Sequence, residues 1–297
     1  MTGRPSVASR RVSGVRRAAR FVLGAAAVAL AACGGTDDAA GEVGVCPDIA
    51  RDGAPSTVAL PPSGAIFDYQ LGGAYDVPAG VGVVARDRED VPAPGVYGVC
   101  YVNAFQTQPG ADWSGDREML LLRDAAGRRV EDPDWADEYL FDLSTADKRQ
   151  LLAAIVGGWV AQCAADGFAA VELDNLDSFT RAQGRFGLAE TAAFGVELLA
   201  VAHQNALAVA QKNTAEASAC FRGLGFDFAI AEECWYEREC DAYTAAYADR
   251  VFDVEYDADA FEAGCSAGRT PAPIRRDRDL VPPGPDYVRE QCRESGR

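Results

Sequence analysis

Histidine is almost missing from this chain of 297 residues: His203 is the only one. It sits inside a run of helical period, and no Gly-x-Ser-x-Gly occurs, so a serine nucleophile would lack its base and that route to acyl transfer is excluded. Zinc lacks ligands as well, because none of the nine cysteines forms a Cys-x-x-Cys pair and no zincin motif is present. A phosphate-cradling glycine loop is absent too. Gly223-Leu224-Gly225 precedes a predicted strand, whereas the dinucleotide fingerprint follows one. Haem signatures are missing, and no cofactor is expected. Basic residues are in deficit, 28 against 45 acids for a net charge of −17, so nucleic acid and anionic lipid surfaces would repel the molecule while a polycation would be drawn to it. Acidity for solubility alone is the other reading.

The basic residues that exist are unevenly placed. Residues 1–32 hold six arginines and no acid, and end in an apolar stretch, Phe21–Ala32, too short to span a bilayer. A basic start, a short apolar core and small residues before a cysteine make up the layout of an exported precursor. Leu30-Ala31-Ala32-Cys33 resembles the bacterial lipobox, which implies a signal peptide over 1–32, lipid attachment at Cys33 and an extracytoplasmic location on the cell membrane; plain secretion is the alternative. Loss of those arginines leaves 22 basic residues against 45 acids, a net of −23. Residues 33–62, rich in Gly, Asp, Ala and Pro, read as a tether, and 63–297 as one domain. The eight cysteines after Cys33 suit an exported chain with four disulfides. Cys234 and Cys240 are close enough to close a small loop, and Cys46 could pin the ends through Cys265 or Cys292.

From residue 63 onward, short apolar runs alternate with longer segments. Strands are predicted at Ile66–Gln70, Val81–Arg86, Tyr97–Asn103, Glu138–Asp142, Ala169–Asp174, Leu207–Lys212, Phe226–Glu232 and Val251–Tyr256. Helices are predicted at Thr145–Ala165, with Ser144 as N-cap and Asp147 in the first turn, and at Leu188–Asn205. This alternation specifies an α/β protein, an irregular (β/α)8 TIM barrel in a single disulfide-stapled domain, with long loops from Asp87 to Asp137. A doubly wound open sheet is the alternative.

On a barrel the functional groups gather where strands end, and these strands end in acids, amides and tyrosines. Asp68 and Tyr69 close the first, Tyr101 and Asn103 the third, Asp142 the fourth, Glu172, Asp174 and Asn175 the fifth. Lys212 and Asn213 close the sixth, Glu232, Glu233, Trp235 and Tyr236 the seventh, Asp253, Glu255 and Tyr256 the eighth. Paired carboxylates flanked by aromatics are the minimum set for glycoside hydrolysis, in which one acid protonates the leaving oxygen while the other attacks or activates water. Sugars stack on aromatic faces, and Tyr69, Tyr101, Trp113, Trp235 and Tyr256 are available. Clustered acids also serve calcium, but Asp174-Asn175-x-Asp177 lacks the glycine and terminal glutamate of an EF-hand loop, and no metal site is expected.

The segment Gly167-Phe168-Ala169-Ala170-Val171-Glu172-Leu173-Asp174-Asn175-Leu176-Asp177 resembles the "GFDGVEPDNVD" signature of glycoside hydrolase family 114, the endo-α-1,4-polygalactosaminidases. Phe67-Asp68-Tyr69-Gln70-Leu71 is similar to that family's "W-x-YQL" and Cys100-Tyr101-Val102-Asn103 to its "CYIS". In order follow Ala202-His203, Lys212-Asn213, Phe226 to Cys234, and Val254-Glu255-Tyr256. The resemblance implies a (β/α)8 barrel whose catalytic pair is Asp174, as nucleophile, and Glu232, as general acid/base, in a retaining reaction. It further implies that Glu172, Asn175, Lys212, Asn213 and Glu255 line the cleft, with Lys212 keeping Asp174 ionised. The implied substrate is a cationic α-1,4-linked galactosamine polysaccharide, met by a monomer that touches the membrane only through its lipid. A surface lipoprotein that binds sugar on the same barrel without turnover is the competing reading. Ala169-Ala170 stands where the family has Asp-Gly, and Leu173 where it has proline.

Overall fold

The computed structural model describes residues 46–49 and 58–292; the expected signal peptide, Cys33 and most of the expected tether lie outside the described residues. Fifteen regular elements, leaving aside three short 3-10 turns, run β1 (Ile66–Gln70), β2 (Val81–Asp87), β3 (Tyr97–Asn103), α1 (Ala146–Asp166), β4 (Ala170–Asp174), α2 (Leu188–Gln204), β5 (Ala208–Lys212), α3 (Ser218–Leu224), β6 (Phe228–Glu232), α4 (Cys234–Glu237), α5 (Cys240–Tyr247), β7 (Val251–Glu255), α6 (Ala258–Ala267), β8 (Pro273–Arg276) and β9 (Arg289–Gln291). The strands form one sheet in sequential order, parallel from β1 to β8, with β9 antiparallel on β8. It curls into a nearly closed barrel.

Side chains of a strand alternate between its faces, and that parity sorts the core into two layers. Phe67, Tyr69, Val83, Ala85, Val99, Ala170, Ala208, Ala210, Phe228, Ile230, Phe252, Val254 and Ile274 fill the barrel interior. The intervening residues, among them Val102, Val171, Leu173, Val209, Ala229 and Ala231, face the helices. Four small alanines inside leave room for the long polar side chains that cap the interior.

Helix α1 begins at Thr145, whose hydroxyl accepts the Lys148 N–H, one residue later than the expected Ser144 cap; Ser144 instead bonds Asp142. It ends at Gly167 with φ 97°, a left-handed C-cap that glycine adopts without strain. His203 on α2 bonds Asp227 at 2.9 Å, which ties the helix to the chain leading into β6.

Two expectations fail. Glu138–Asp142 is no barrel strand: its backbone bonds go to Phe105, Thr107, Leu120, Leu122, Val130 and Asp132 in the long β3–α1 excursion. Leu140 and Phe141 are fully buried there, so the apolar run is real but its neighbours are loops. The eighth barrel strand is β8, only four residues long and carrying Pro and two Arg, with no apolar alternation to betray it.

No backbone ladder joins β1 to β8; instead the buried Arg276 on β8 crosses the gap. Its guanidinium donates to the carbonyls of Tyr69, Val281 and Val288 and lies against the rings of Tyr75 and Tyr287, which pack edge-on to each other. Arg289 on β9 adds a 2.9 Å bond to Asp68. All eight cysteines after Cys33 are paired, as Cys46–Cys220, Cys100–Cys163, Cys234–Cys240 and Cys265–Cys292. Cys46 therefore bonds neither Cys265 nor Cys292, and holds the start of the described chain to α3. Among the described residues no helix is long and apolar enough to cross a membrane.

Candidate active site

The last inward-facing residue of each strand is the one that reaches the open end of the barrel. By parity these are Tyr69 on β1, Tyr101 and Asn103 on β3, Asp174 on β4, Lys212 on β5, Glu232 on β6 and Tyr256 just beyond β7. The chain turns sharply behind three of them, because Asn175, Asn213 and Glu233 all have left-handed backbone, at φ 67°, 47° and 60°. Asparagine tolerates that region; a glutamate there is strained.

At the centre lies the ammonium of Lys212. Its Nζ is 3.1 Å from Asp174 Oδ1, 3.0 Å from Glu232 Oε2 and 3.4 Å from Glu172 Oε1. Those oxygens of Asp174 and Glu232 thus lie at most 6.1 Å apart, the 3.1 and 3.0 Å contacts end to end. Each carboxylate is also gripped from its other side. The Tyr101 hydroxyl donates to Asp174 at 2.5 Å, and the Tyr256 hydroxyl donates to Glu232. Asn213 fixes Glu232 twice, accepting its backbone N–H at 2.8 Å and donating to its side chain at 3.4 Å. Below them Tyr69 donates to Glu172 at 2.7 Å and accepts from Lys212 at 3.1 Å.

Burial alone would push the Asp174 carboxyl toward its neutral form, but the Lys212 ammonium and the Tyr101 hydroxyl overcome it and hold the acid below the usual range. Glu172 goes the other way: burial pushes it up to about 7, with Lys212 only partly offsetting this and Asp174 adding to it. Burial also lowers the proton affinity of Lys212, yet the surrounding acids, Asp174 first, keep it well above the ordinary lysine value. The result is a carboxylate kept anionic beside a fixed cation.

Above this floor is a cleft of about 230 Å³. Of the residues expected at the site, Tyr101, Asp174, Asn175, Lys212, Asn213 and Glu232 line it, Glu172 and Tyr69 lie beneath it, and Tyr256 touches it through Glu232. Four others are elsewhere. Asp68 and Glu255 have the opposite strand parity: Asp68 pairs with Arg289 at the seam, and Glu255 accepts the Trp235 N–H at 2.7 Å behind α4. Trp235 donates its indole N–H to Pro271 and packs over Gly264. Asp142, off the barrel strands, pairs with Lys148 in a separate groove. Trp113 is buried against Phe141 and offers no stacking face.

The far wall was not anticipated. Gln106, Asp132, Asp134, Trp135 and Glu138 from the β3–α1 excursion, with Asp177 and Arg181 beyond β4, complete the lining. Trp135 is 60% exposed, an aromatic face open to a ligand. Asn103 and Gln106 both donate to Glu138, while Arg181 ties Asp132, Asp177 and Asn175 together. Strand parity says nothing about loop residues; the only available signal was the acid–aromatic run Glu131-Asp132-Pro133-Asp134-Trp135.

No curated protein matches this chain. Among solved structures, the fold is similar to that of Aspergillus fumigatus Ega3, determined in complex with galactosamine, with a TM-score of 0.64 and 19% identity over 81% of this chain and 100% of that one. It is also similar to the glycoside hydrolase domain of PelA from Pseudomonas aeruginosa, with a TM-score of 0.52 and 17% identity over 76% of this chain and 97% of that one. At such identities the likeness speaks for the fold. The sequence match is more specific, for the model of glycoside-hydrolase family GH114 covers residues 48–297, all but the N-terminal portion. A sequence-wide match together with a sugar-sized, carboxylate-floored cleft makes this chain a glycoside hydrolase, a member of family GH114.

Proposed function

We propose that this protein is an exported, lipid-anchored endo-hydrolase of α-1,4-linked galactosamine polysaccharide, acting with retention through Asp174 and Glu232. The observation that carries the reading is the pair of carboxylates held over one ammonium, one on Asp174 at β4 and one on Glu232 at β6. A separation of at most 6.1 Å between the facing oxygens favours retention, since retaining pairs stand about 5–5.5 Å apart and inverting pairs about 6.5–9.5 Å, leaving room for water.

In this reading Asp174, kept ionised by Lys212 and Tyr101, attacks the anomeric carbon while Glu232 protonates the departing glycosidic oxygen. Water, deprotonated by Glu232, then releases the sugar from Asp174. Six carboxylates against two cations in the lining suit an amino sugar carrying a positive charge, as does the galactosamine bound by Ega3. Trp135 supplies the stacking face. Purified protein incubated with defined galactosamine oligomers should shorten them, with the first-formed hemiacetal in the α configuration by NMR. Asp174→Asn and Glu232→Gln should each lower kcat by about 10³-fold or more. Binding without shortening would instead favour the turnover-free sugar binder.

A further inference from the structure

A second groove is lined by Tyr256, whose hydroxyl reaches Glu232 in the lining of the cleft. It has a volume of about 420 Å³ and its lining includes Glu233, Tyr236, Tyr256, Asp257, Arg275 and Arg278. It opens on the same end of the barrel, since Glu233 follows β6, Tyr256 and Asp257 follow β7, and Arg275 to Arg278 close β8. The link is chemical as well as spatial: the hydroxyl of Tyr256 holds Glu232, while its ring lies under the Arg278 guanidinium at 4.7 Å. Tyr236, 57% exposed, offers a further aromatic face.

The two regions differ in charge. The cleft lining has six carboxylates and two cations; the groove lining has three carboxylates and three arginines. Moreover the groove's acids are partly spent. Glu233 pairs with Arg278 at 2.7 Å, Asp277 pairs with Arg276 at 3.5 Å, and Asp257 accepts the Asp259 and Ala260 N–H groups. An ammonium entering here would meet as many guanidinium groups as carboxylates, unlike in the acidic cleft, whereas a neutral acetamido group would find an N–H donor for its carbonyl and tyrosine faces for its methyl.

We propose that this groove is the leaving-group subsite and that it takes an N-acetylated, uncharged amino sugar, so that the enzyme cuts between a free-amine unit and an N-acetylated one. The inference rests on the hydrolase reading above and deepens it. Its direction follows from the chemistry: the unit whose anomeric carbon reacts sits over Asp174 in the acidic cleft, and the departing unit sits beyond the proton donor Glu232, toward Tyr256. Hydrolysis breaks the bond from the anomeric carbon to the bridging oxygen. Water supplies a hydroxyl to the first unit, which becomes a new reducing end, and a proton to the oxygen of the second, which becomes a new non-reducing end.

The test is to digest α-1,4-galactosamine oligomers of random partial N-acetylation and sequence the new ends by mass spectrometry. At new non-reducing ends the ratio of N-acetylated to free-amine units should exceed that of the bulk by about tenfold, in line with one pocket contact, and new reducing ends should carry free amines. Arg278 is 68% exposed, so Arg278→Glu can be made without threatening the fold; it should turn the groove acidic and shift new non-reducing ends toward free amines. Tyr236→Ala should erase the enrichment. Shortened products whose two ends match the bulk acetylation, or enrichment untouched by Arg278→Glu, would overturn the subsite while leaving the hydrolase standing. No shortening at all would overturn both.

Discussion

Lys212 has three carboxylates within 3.4 Å and the Tyr69 phenol at 3.1 Å. Removing the cation these acids share leaves their charges uncompensated, which costs about 3–5 kcal/mol for a buried pair. Lys212→Met should therefore lower stability by about that amount and kcat/KM by about 10²–10³-fold, the scale of losing one preorganised electrostatic contact. A sharper readout is the pH profile. Lys212 lowers the Asp174 pKa, so its loss raises that pKa and moves the acid limb of kcat/KM to higher pH, while Lys212→Arg restores it. An acid limb that stays put in Lys212→Met would show that Lys212 does not set the ionisation of Asp174. This residue was singled out in the sequence by its place at a strand end; that it serves three acids at once was not readable there, because the acids come from two other strands.

At the scale of elements, α4 is held from behind by two acids that strand parity turns away from the cleft. Asp253 accepts the Cys234 N–H at 3.2 Å and Glu255 the Trp235 N–H, so the turn carrying Glu232 into α4 is fastened to β7. Their remaining oxygens, Asp253 Oδ2 and Glu255 Oε2, are buried and meet no donor, which disfavours the charged form of both acids. Burial raises both, and Glu255 reaches about 7 despite the backbone N–H groups that oppose it; Glu172 reaches about 7 by burial as well. An acid whose folded pKa is raised stabilises the fold fully below its ordinary pKa of about 4.5 and loses that contribution as pH climbs through the folded value. Asp174, being lowered, acts oppositely and only at lower pH, below its ordinary pKa of about 4. The melting temperature should thus fall as pH rises from about 5 to 8. Glu255→Gln, which removes one of these raised carboxyls, should flatten part of that slope in differential scanning fluorimetry. A melting temperature that rises over this range, or a slope unchanged in Glu255→Gln, would contradict the raised carboxyl at Glu255. Glu255 shows how far element boundaries can be read: it was expected in the cleft as a strand-end acid of a matching family segment, and it misses because it sits one residue out of phase with Tyr256.

At the scale of the whole molecule, four disulfides fit an oxidising, extracytoplasmic compartment, consistent with the arginine-rich leader. If Cys33 carries the proposed lipid, Cys33→Ser should move the protein from the membrane fraction to the soluble fraction of the cell envelope or medium, with the oligomer-cleaving activity retained in the released material. A protein that stays membrane-bound after that substitution would contradict an anchor at Cys33. The acidity also has a place in this picture: if residues 1–32 are removed as proposed, a net charge of −23 would steer a polycationic chain toward the cleft.

Alternation of apolar and small residues over five to seven positions was enough, in the sequence alone, to locate seven of the eight barrel strands and the two long helices, and the ordered family segments pointed to the carboxylates at the ends of β4 and β6. Those signals are local, since strand period, helix period and short motifs are properties of neighbouring residues. What the tertiary structure decided is everything that depends on residues far apart in the chain. It replaced Glu138–Asp142 by Pro273–Arg276 as a barrel strand, chose one set among the cysteine pairings, closed the seam with Arg276, and brought Trp135 and its acidic neighbours from a long loop to face Asp174. A buried polar group or a loop wall is defined by partners tens to hundreds of residues away, and no local pattern encodes which partner will arrive.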